Sequence, residues 1–119
     1  AATEGIGLSI SDSRDHTAAY LERNPGMSFV ACHNGALIGA VLCGTDGRRG
    51  YLHHLAVDKR FRGRGIGRQL VAHCLQALRR AGLPKCHLFL YRSNRSGYEF
   101  WQKIGWSRRS DLEVVSTVI

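Results

Sequence analysis

Arginines and glycines alternate through Arg62-Gly63-Arg64-Gly65-Ile66-Gly67, directly ahead of an amphipathic stretch. Glycine at this spacing lets the backbone bend tightly and turn successive N–H groups toward one point. A helix starting behind it adds its own N–H donors and the positive end of its dipole. The chemistry of such a loop is anion binding, and Arg62, Arg64 and Arg68 supply flanking charge suited to a diphosphate. Just upstream, Leu52-His-His-Leu-Ala-Val57 carries the imidazoles of His53 and His54. An imidazole titrates near neutrality and can move a proton. Side chains alternate along a strand, so the two histidines point to opposite faces, with His53 on the face of Tyr51 and Leu55. A packed, hydrogen-bonded strand histidine is the plainer account of either one alone.

The elements that must position these groups can be read from pattern. Ser11-Asp-Ser13 offers N-cap residues for a short helix through Thr17, Ala18 and Leu21 that stops before Pro25. Phe29 to His33 reads as a strand, Asn34-Gly35 as a hairpin turn, and Leu37 to Cys43 as the antiparallel partner. A further strand covers Tyr51 to Val57. From about Ile66, the apolar residues Leu70, Val71, Cys74, Leu75 and Leu78 recur at three and four, which predicts a helix closed by Ala81-Gly82 and Pro84. Cys86 to Tyr91 is a continuous apolar run, as in a strand covered on both faces. Asn94 or Ser96 caps a last helix over Gly97 to Ile104, and alternation in Asp111 to Val118 predicts one or two closing strands. The resulting order is α-β-β-β-α-β-α-β, a mixed α/β sheet with helices on its faces.

Composition bounds the alternatives. With 119 residues, 44% hydrophobic, the chain is sized for one core, and a single domain over 1–119 is expected. Neither a long apolar run nor a signal-peptide pattern is visible, so the expectation is a cytoplasmic protein with no membrane partner. Cys32, Cys43, Cys74 and Cys86 lack metal-ligand spacing and lie in apolar stretches; they read as buried small hydrophobes in a reducing compartment, with no metal expected. The formal charge of +8 attracts polyanions: nucleic acid, a membrane surface or a phosphorylated cofactor. Its concentration at Lys59, Arg60, Arg62, Arg64 and Arg68 points to the loop. A Walker loop is excluded by the missing G-K-[ST], and the glycine spacing does not fit the dinucleotide fingerprint.

The spacing Arg62-x-x-Gly65-x-Gly67 resembles the R/Q-x-x-G-x-G/A signature of the GNAT superfamily of N-acetyltransferases. A second motif agrees: Asn94, then Phe100-Trp-Gln-Lys-Ile-Gly-Trp106, is similar to the family's F-Y-x-x-x-G-F. The resemblance runs from about Val30 to the C-terminus. It implies a mostly antiparallel sheet with one βαβ crossover, in which the strand at Leu52 to Val57 splays from the strand at Cys86 to make a V-shaped cleft for acetyl-CoA. By the same resemblance, the backbone of Leu55, Ala56 and Val57 pairs with the pantetheine arm, and Arg62, Gly63, Arg64, Gly65, Ile66, Gly67 and Arg68 receive the diphosphate. Asn94 lies where a side chain bonds the pantetheine, Gly97 where a small residue lets the helix approach, and Trp101 walls the gap.

The implied reaction is direct attack of a neutral primary amine on the thioester. It needs a base, an oxyanion site and an acid for the leaving thiolate. His53 or His54 supplies the base, and the N–H groups of Leu55 to Val57 serve the carbonyl oxygen. The family's usual acid is a tyrosine where this chain has Trp101, whose indole cannot supply a proton at neutral pH; Tyr98, Tyr91 or water are the substitutes. The partners implied are acetyl-CoA, an amine acceptor and a second copy in a homodimer. A non-catalytic acyl-CoA sensor is the alternative, with a small basic nucleic-acid-binding module ranked behind it. The family's leading strand and second helix are not evident in 1–26: either the leading strand is lost or the stretch given lacks it.

Overall fold

The computed structural model describes residues 14–119, which divide into two compact units, the first ending at Phe89 and the second spanning Leu90–Ile119. In the first unit, α1 (Arg14–Arg23) is followed by β1 (Phe29–His33), β2 (Ala36–Thr45) and β3 (Gly50–Val57), then by α2 (Ile66–Arg80) and β4 (Cys86–Leu88). The second unit contains α3 (Arg95–Lys103). The expected cap residues Ser11 to Ser13 lie outside the described residues.

The strands form one sheet in the order β1-β2-β3-β4, antiparallel except for the parallel β3–β4 pair joined by α2. Asn34 and Gly35 turn the first hairpin with φ of 49° and 79°, the left-handed pair that matches strand twist. The two faces of β2 read from what a side chain at each glycine would meet. Gly39 faces Leu70 and Ile66 of α2, whereas Gly44 faces Tyr20 of α1 and Asn24 just after it. Helices therefore cover opposite faces, as the sequence led one to expect. The α2 face holds the core: Val41, Cys43, Leu52, Leu70, Val71, Cys74 and Leu78 are all buried. Each buried Leu or Val stabilises by roughly 1.5–3 kcal/mol.

Capping explains where the crossover helix stops. Gly82 (φ 82°) follows its last turn, its N–H bonds to the Arg79 carbonyl at 3.0 Å, and the Leu83 N–H bonds to the Leu78 carbonyl at 3.1 Å. That satisfies carbonyls the helix leaves open, and Arg79 and Arg80 complement the negative end of its dipole. Asn24, buried, ties α1 to β2: its Nδ2 donates to the Tyr20 carbonyl at 3.0 Å and its Oδ1 accepts from the Thr45 N–H at 2.9 Å. No helix among the described residues is long and apolar enough to cross a membrane.

Three expectations need correction. The closing strands at Asp111 to Val118 do not form: the tail carries no strand, and Leu112, Val114, Val115 and Val118 are exposed. A strand needs a ladder partner for its N–H and C=O groups, and the second unit contains no other strand. The fourth strand ends at Leu88 instead of Tyr91, because its ladder with β3 ends at Leu52↔Leu88. Among the cysteines, Cys43 and Cys74 are buried free thiols, but Cys32 is exposed on the edge strand β1.

Candidate functional site

Two irregularities of β3 define the site. The first is a bulge. Leu42 pairs with His53 and Ala40 with Ala56, so Val41 alone stands opposite His54 and Leu55. His54 takes up the extra length at φ 53°, a left-handed conformation that costs a side-chain-bearing residue on the order of 1–2 kcal/mol. The bulge also breaks the alternation assumed from sequence. Tyr51 and His53 share the α1 face, but Ala56, paired with Ala40, is the next residue on it, and Leu55 is not.

The second irregularity is the splay. β3 and β4 are paired only at Gly50↔Cys86, Tyr51↔His87 and Leu52↔Leu88, while β3 continues to Val57. Leu55, Ala56 and Val57 have no ladder partner in β4, so the bulge sits where the strands part. A parallel pair that opens partway along its length makes a wedge, with the backbone of β3 along one side.

Beyond Val57 the chain makes a short 3-10 turn, Lys59–Phe61, that sequence pattern did not reveal. Asp58 caps it, accepting the Arg60 N–H at 2.9 Å, and grips the Arg60 guanidinium with both oxygens at 3.3 and 3.1 Å. Those Arg60 contacts hold the Asp58 carboxyl below the usual carboxylate range. Gly63 and Gly65 then adopt φ of 78° and 80°, with nothing within 4 Å of where a side chain would begin. Glycine is needed there for conformation, not for crowding. Gly65 is the N-cap of α2 and offers no side-chain cap, which leaves the first-turn N–H groups available to an anion. Arg62 directs its Nε to the Val57 carbonyl at 3.1 Å, bracing the loop against the end of β3, and the Arg64 guanidinium lies 5.2 Å from the Phe61 ring centroid. Arg68, exposed, lies in the first turn of α2.

On the α1 face of the sheet, His53 meets Tyr20 edge-on with ring centroids 5.6 Å apart, and the His53 and His54 rings are 6.4 Å apart. Tyr51 lies 5.9 Å from His87 and 6.4 Å from Phe89 by the same measure. Tyr20, Tyr51 and His87 did not stand out in the sequence. The signal for Tyr51 and His53 was present in their alternation, but their neighbours come from other elements.

In the second unit Asn94 caps α3, its Oδ1 accepting the Gly97 N–H at 2.9 Å. A side chain at Gly97 would collide with that of Asn94, so the glycine makes room for the cap. The cap engages Oδ1 and leaves the Asn94 amide N–H groups for a ligand. Tyr98 has the Arg108 guanidinium 4.2 Å above its ring. Trp101 is buried, packed against Phe100 at 5.1 Å and Trp106 at 4.8 Å between centroids.

Residues 5–106 match the acetyltransferase (GNAT) family model. Over 84 residues the chain is 36% identical to an acetyltransferase of Pectobacterium atrosepticum, covering 71% of this chain and 60% of that protein. It is 32% identical over 98 residues to N-alpha-acetyltransferase 30 of Schizosaccharomyces pombe, covering 78% of this chain and 65% of the relative. The chain thus spans less than two thirds of the length of these curated relatives. Its fold is similar to that of AAC(6')-Iy in complex with a bisubstrate analogue, with a TM-score of 0.75 at 20% identity, over 94% of this chain and 85% of that one. A glycine-capped helix behind a bulged, splaying strand agrees with the family match over most of the chain, and the chain belongs to the GNAT family of acetyltransferases.

Proposed function

We propose that the chain, as a single acetyltransferase domain over 1–119, transfers an acetyl group from acetyl-CoA to a primary amine by direct attack in a ternary complex. The observation that carries this reading is the succession along one strand, loop and helix: the bulge at His54, the end of the β3–β4 ladder, and the loop that leaves the α2 N-terminus without a side-chain cap. The donor set suits a diphosphate ester: the first turn of α2 has no side-chain cap, arginine charge flanks it, and the positions of Gly63 and Gly65 are open.

Acetyl-CoA supplies an activated thioester carbonyl. Arg62, Gly63, Arg64, Gly65, Ile66, Gly67 and Arg68 hold its diphosphate. The backbone of Leu55, Ala56 and Val57 lies along the pantetheine, and N–H groups there steady the carbonyl oxygen. Asn94 adds a donor, and Gly97 permits the tight cap that orients it. His53, on the α1 face of β3 beside Tyr20, takes the proton from the amine, with His54 the neighbouring candidate. Tyr98, three residues before the Trp101 that stands where the family has a tyrosine, is the proposed proton donor to the thiolate.

The same reading places the protein in the cytoplasm, where the buried thiols of Cys43 and Cys74 stay reduced, and includes a homodimer, which light scattering tests. The decisive experiment adds CoA, then acetyl-CoA with a panel of amines. Saturating CoA should raise the unfolding temperature, as any ligand bound only by the folded state does. Free thiol should then appear with amine and not without it. No thermal shift at saturating CoA would end the reading.

A further inference from the structure

We propose that the α1 face of β3 and β4 is the acceptor subsite and that it takes a primary amine bearing an aromatic ring, an arylalkylamine. This rests on the acetyltransferase reading and names its acceptor class. Tyr51 and His87 are register partners on adjacent strands, so their side chains stand side by side. Phe89, two residues beyond His87, joins them at 6.4 Å from Tyr51 and is 67% exposed. The half-buried Tyr51 and His87, with the exposed Phe89 just beyond β4, thus form one aromatic platform.

The platform leads to the proposed base. His53 shares the face of Tyr51 and follows it by two residues, which at about 3.3 Å per residue is about 7 Å along the strand. That separation suits an aryl ring stacked on Tyr51 and Phe89 with a linker of about two or three carbons carrying its nitrogen to His53. Aromatic pairs of this kind prefer offset or edge contacts at centroid distances of about 4.5–7 Å.

Among the described residues, the Asp46 carboxylate borders the platform. The Tyr51 hydroxyl donates to Asp46 Oδ2 at 3.5 Å, while Asp46 Oδ1 accepts the N–H groups of Arg48 and Arg49 at 2.8 and 2.9 Å. Those bonds, Arg49 first, keep the Asp46 carboxyl below its usual range and so ionised. Asp46 steadies the Tyr51 ring and adds negative potential that attracts a protonated amine before it loses its proton. An aminoglycoside, a hydroxylated polycation, would need many more acceptors than the described residues of this face present.

The test is saturation-transfer NMR on the whole chain with 2-phenylethylamine, 2-cyclohexylethylamine, hexylamine and an aminoglycoside, with CoA present and absent. The phenyl compound should bind tightest, with transfer to its ring protons. Tyr51→Ala and Phe89→Ala should each weaken it by about tenfold or more, Tyr51→Phe should restore it, and in turnover the loss should fall on KM. Should Tyr51→Ala not fold, the exposed Phe89 position carries the comparison. Equal binding of the phenyl and cyclohexyl amines, preference for the aminoglycoside, or indifference to Phe89→Ala would overturn the proposal. So would silence at the ring because the chain itself or a second copy covers the face. The CoA-induced thermal shift separates the two failures: kept while the aryl preference is absent, only the acceptor class falls; absent in the wild type, the acetyltransferase reading falls with it.

Discussion

Tyr20 of α1 meets His53 of β3 nearly at right angles, with an angle of 83° between ring planes. The contact joins α1 to the strand that carries the proposed base. It also directs the Tyr20 hydroxyl inward toward Gly44, where it has no hydrogen-bond partner among the described residues. Burial, reinforced by the neighbouring thiols of Cys43, Cys86 and Cys74, pushes this phenol up to about 12 from an ordinary 10.0.

The sign of the resulting pH dependence follows from linkage. A group whose folded pKa is raised favours the folded state while protonated, so its contribution is complete below pH 10.0 and is lost as pH rises toward about 12. Cys86, pushed up to about 12 from 9.0 mainly by burial, adds to the same alkaline loss. Urea unfolding of the wild type and Tyr20→Phe from pH 8 upward isolates the tyrosine's share. The variant should lose less stability above pH 10, and phenolate absorbance should lack one group until near pH 12. Parallel curves for the two proteins would refute the assignment.

Gly44 faces the same hydroxyl. A methyl at Gly44 would collide with the Tyr20 hydroxyl and press on the Asn24 side chain at 2.6 Å. Gly44→Ala should therefore destabilise by about 1–3 kcal/mol, the usual cost of overpacking. Part of that cost should vanish on a Tyr20→Phe background, since the clashing oxygen is gone. A double-mutant cycle by chemical denaturation reads the coupling, and strict additivity would show that Tyr20 moves freely away.

How much of this was legible in the sequence depends on the range of the interaction. The glycine loop ahead of α2, the period of α2 and the Asn34-Gly35 turn are local, because glycine conformation and helical spacing act within a few residues, and the structure places these elements as the pattern suggested. The bulge was not legible. It appears only when β3 is laid against β2 and Val41 is found opposite two residues, so the alternation that assigned Leu55 to the face of His53 failed at His54. Tyr20 was hidden for a similar reason: its meeting with His53 depends on how α1 crosses the sheet. At the other end, alternation in Asp111 to Val118 signalled a strand, yet alternation says nothing about whether a partner edge exists.

The bulge makes its own prediction. At φ 53°, alanine bears the same left-handed strain as histidine, and glycine does not. His54→Gly and His54→Ala both remove the imidazole, so their difference isolates the backbone. His54→Gly should be more stable than His54→Ala by about 1 kcal/mol. If the alanine variant is equal or more stable by denaturant midpoint, the strand does not hold this conformation.

The phosphate loop responds in the opposite sense. Gly65 stands at φ 80° with open space beside it, so Gly65→Ala meets no neighbour and changes only the backbone preference. Stability should fall by about 1–2 kcal/mol. The thermal shift caused by CoA should shrink as well, because the same turn leads into the α2 N–H groups proposed to bind the diphosphate. A full CoA shift in a destabilised variant would mean the diphosphate binds elsewhere.

Trp101 allows a test of the missing acid. Its ring is buried between Phe100 and Trp106, so any smaller residue weakens that packing, by about 3–5 kcal/mol for Trp101→Ala. Trp101→Tyr and Trp101→Phe lose nearly the same volume and differ by one hydroxyl. Their unfolding midpoints should be similar, both below wild type. Only the tyrosine variant presents a phenol at the position where the motif resemblance would put the family's acid, and general acid catalysis is worth about 100-fold or more when rate-limiting. Its kcat should therefore exceed that of Trp101→Phe by about tenfold or more, and Tyr98→Phe should slow the wild type much more than it slows Trp101→Tyr. Equal kcat for the two Trp101 variants would show that thiolate protonation is not limiting or is supplied by solvent, and that Trp101 acts through packing alone.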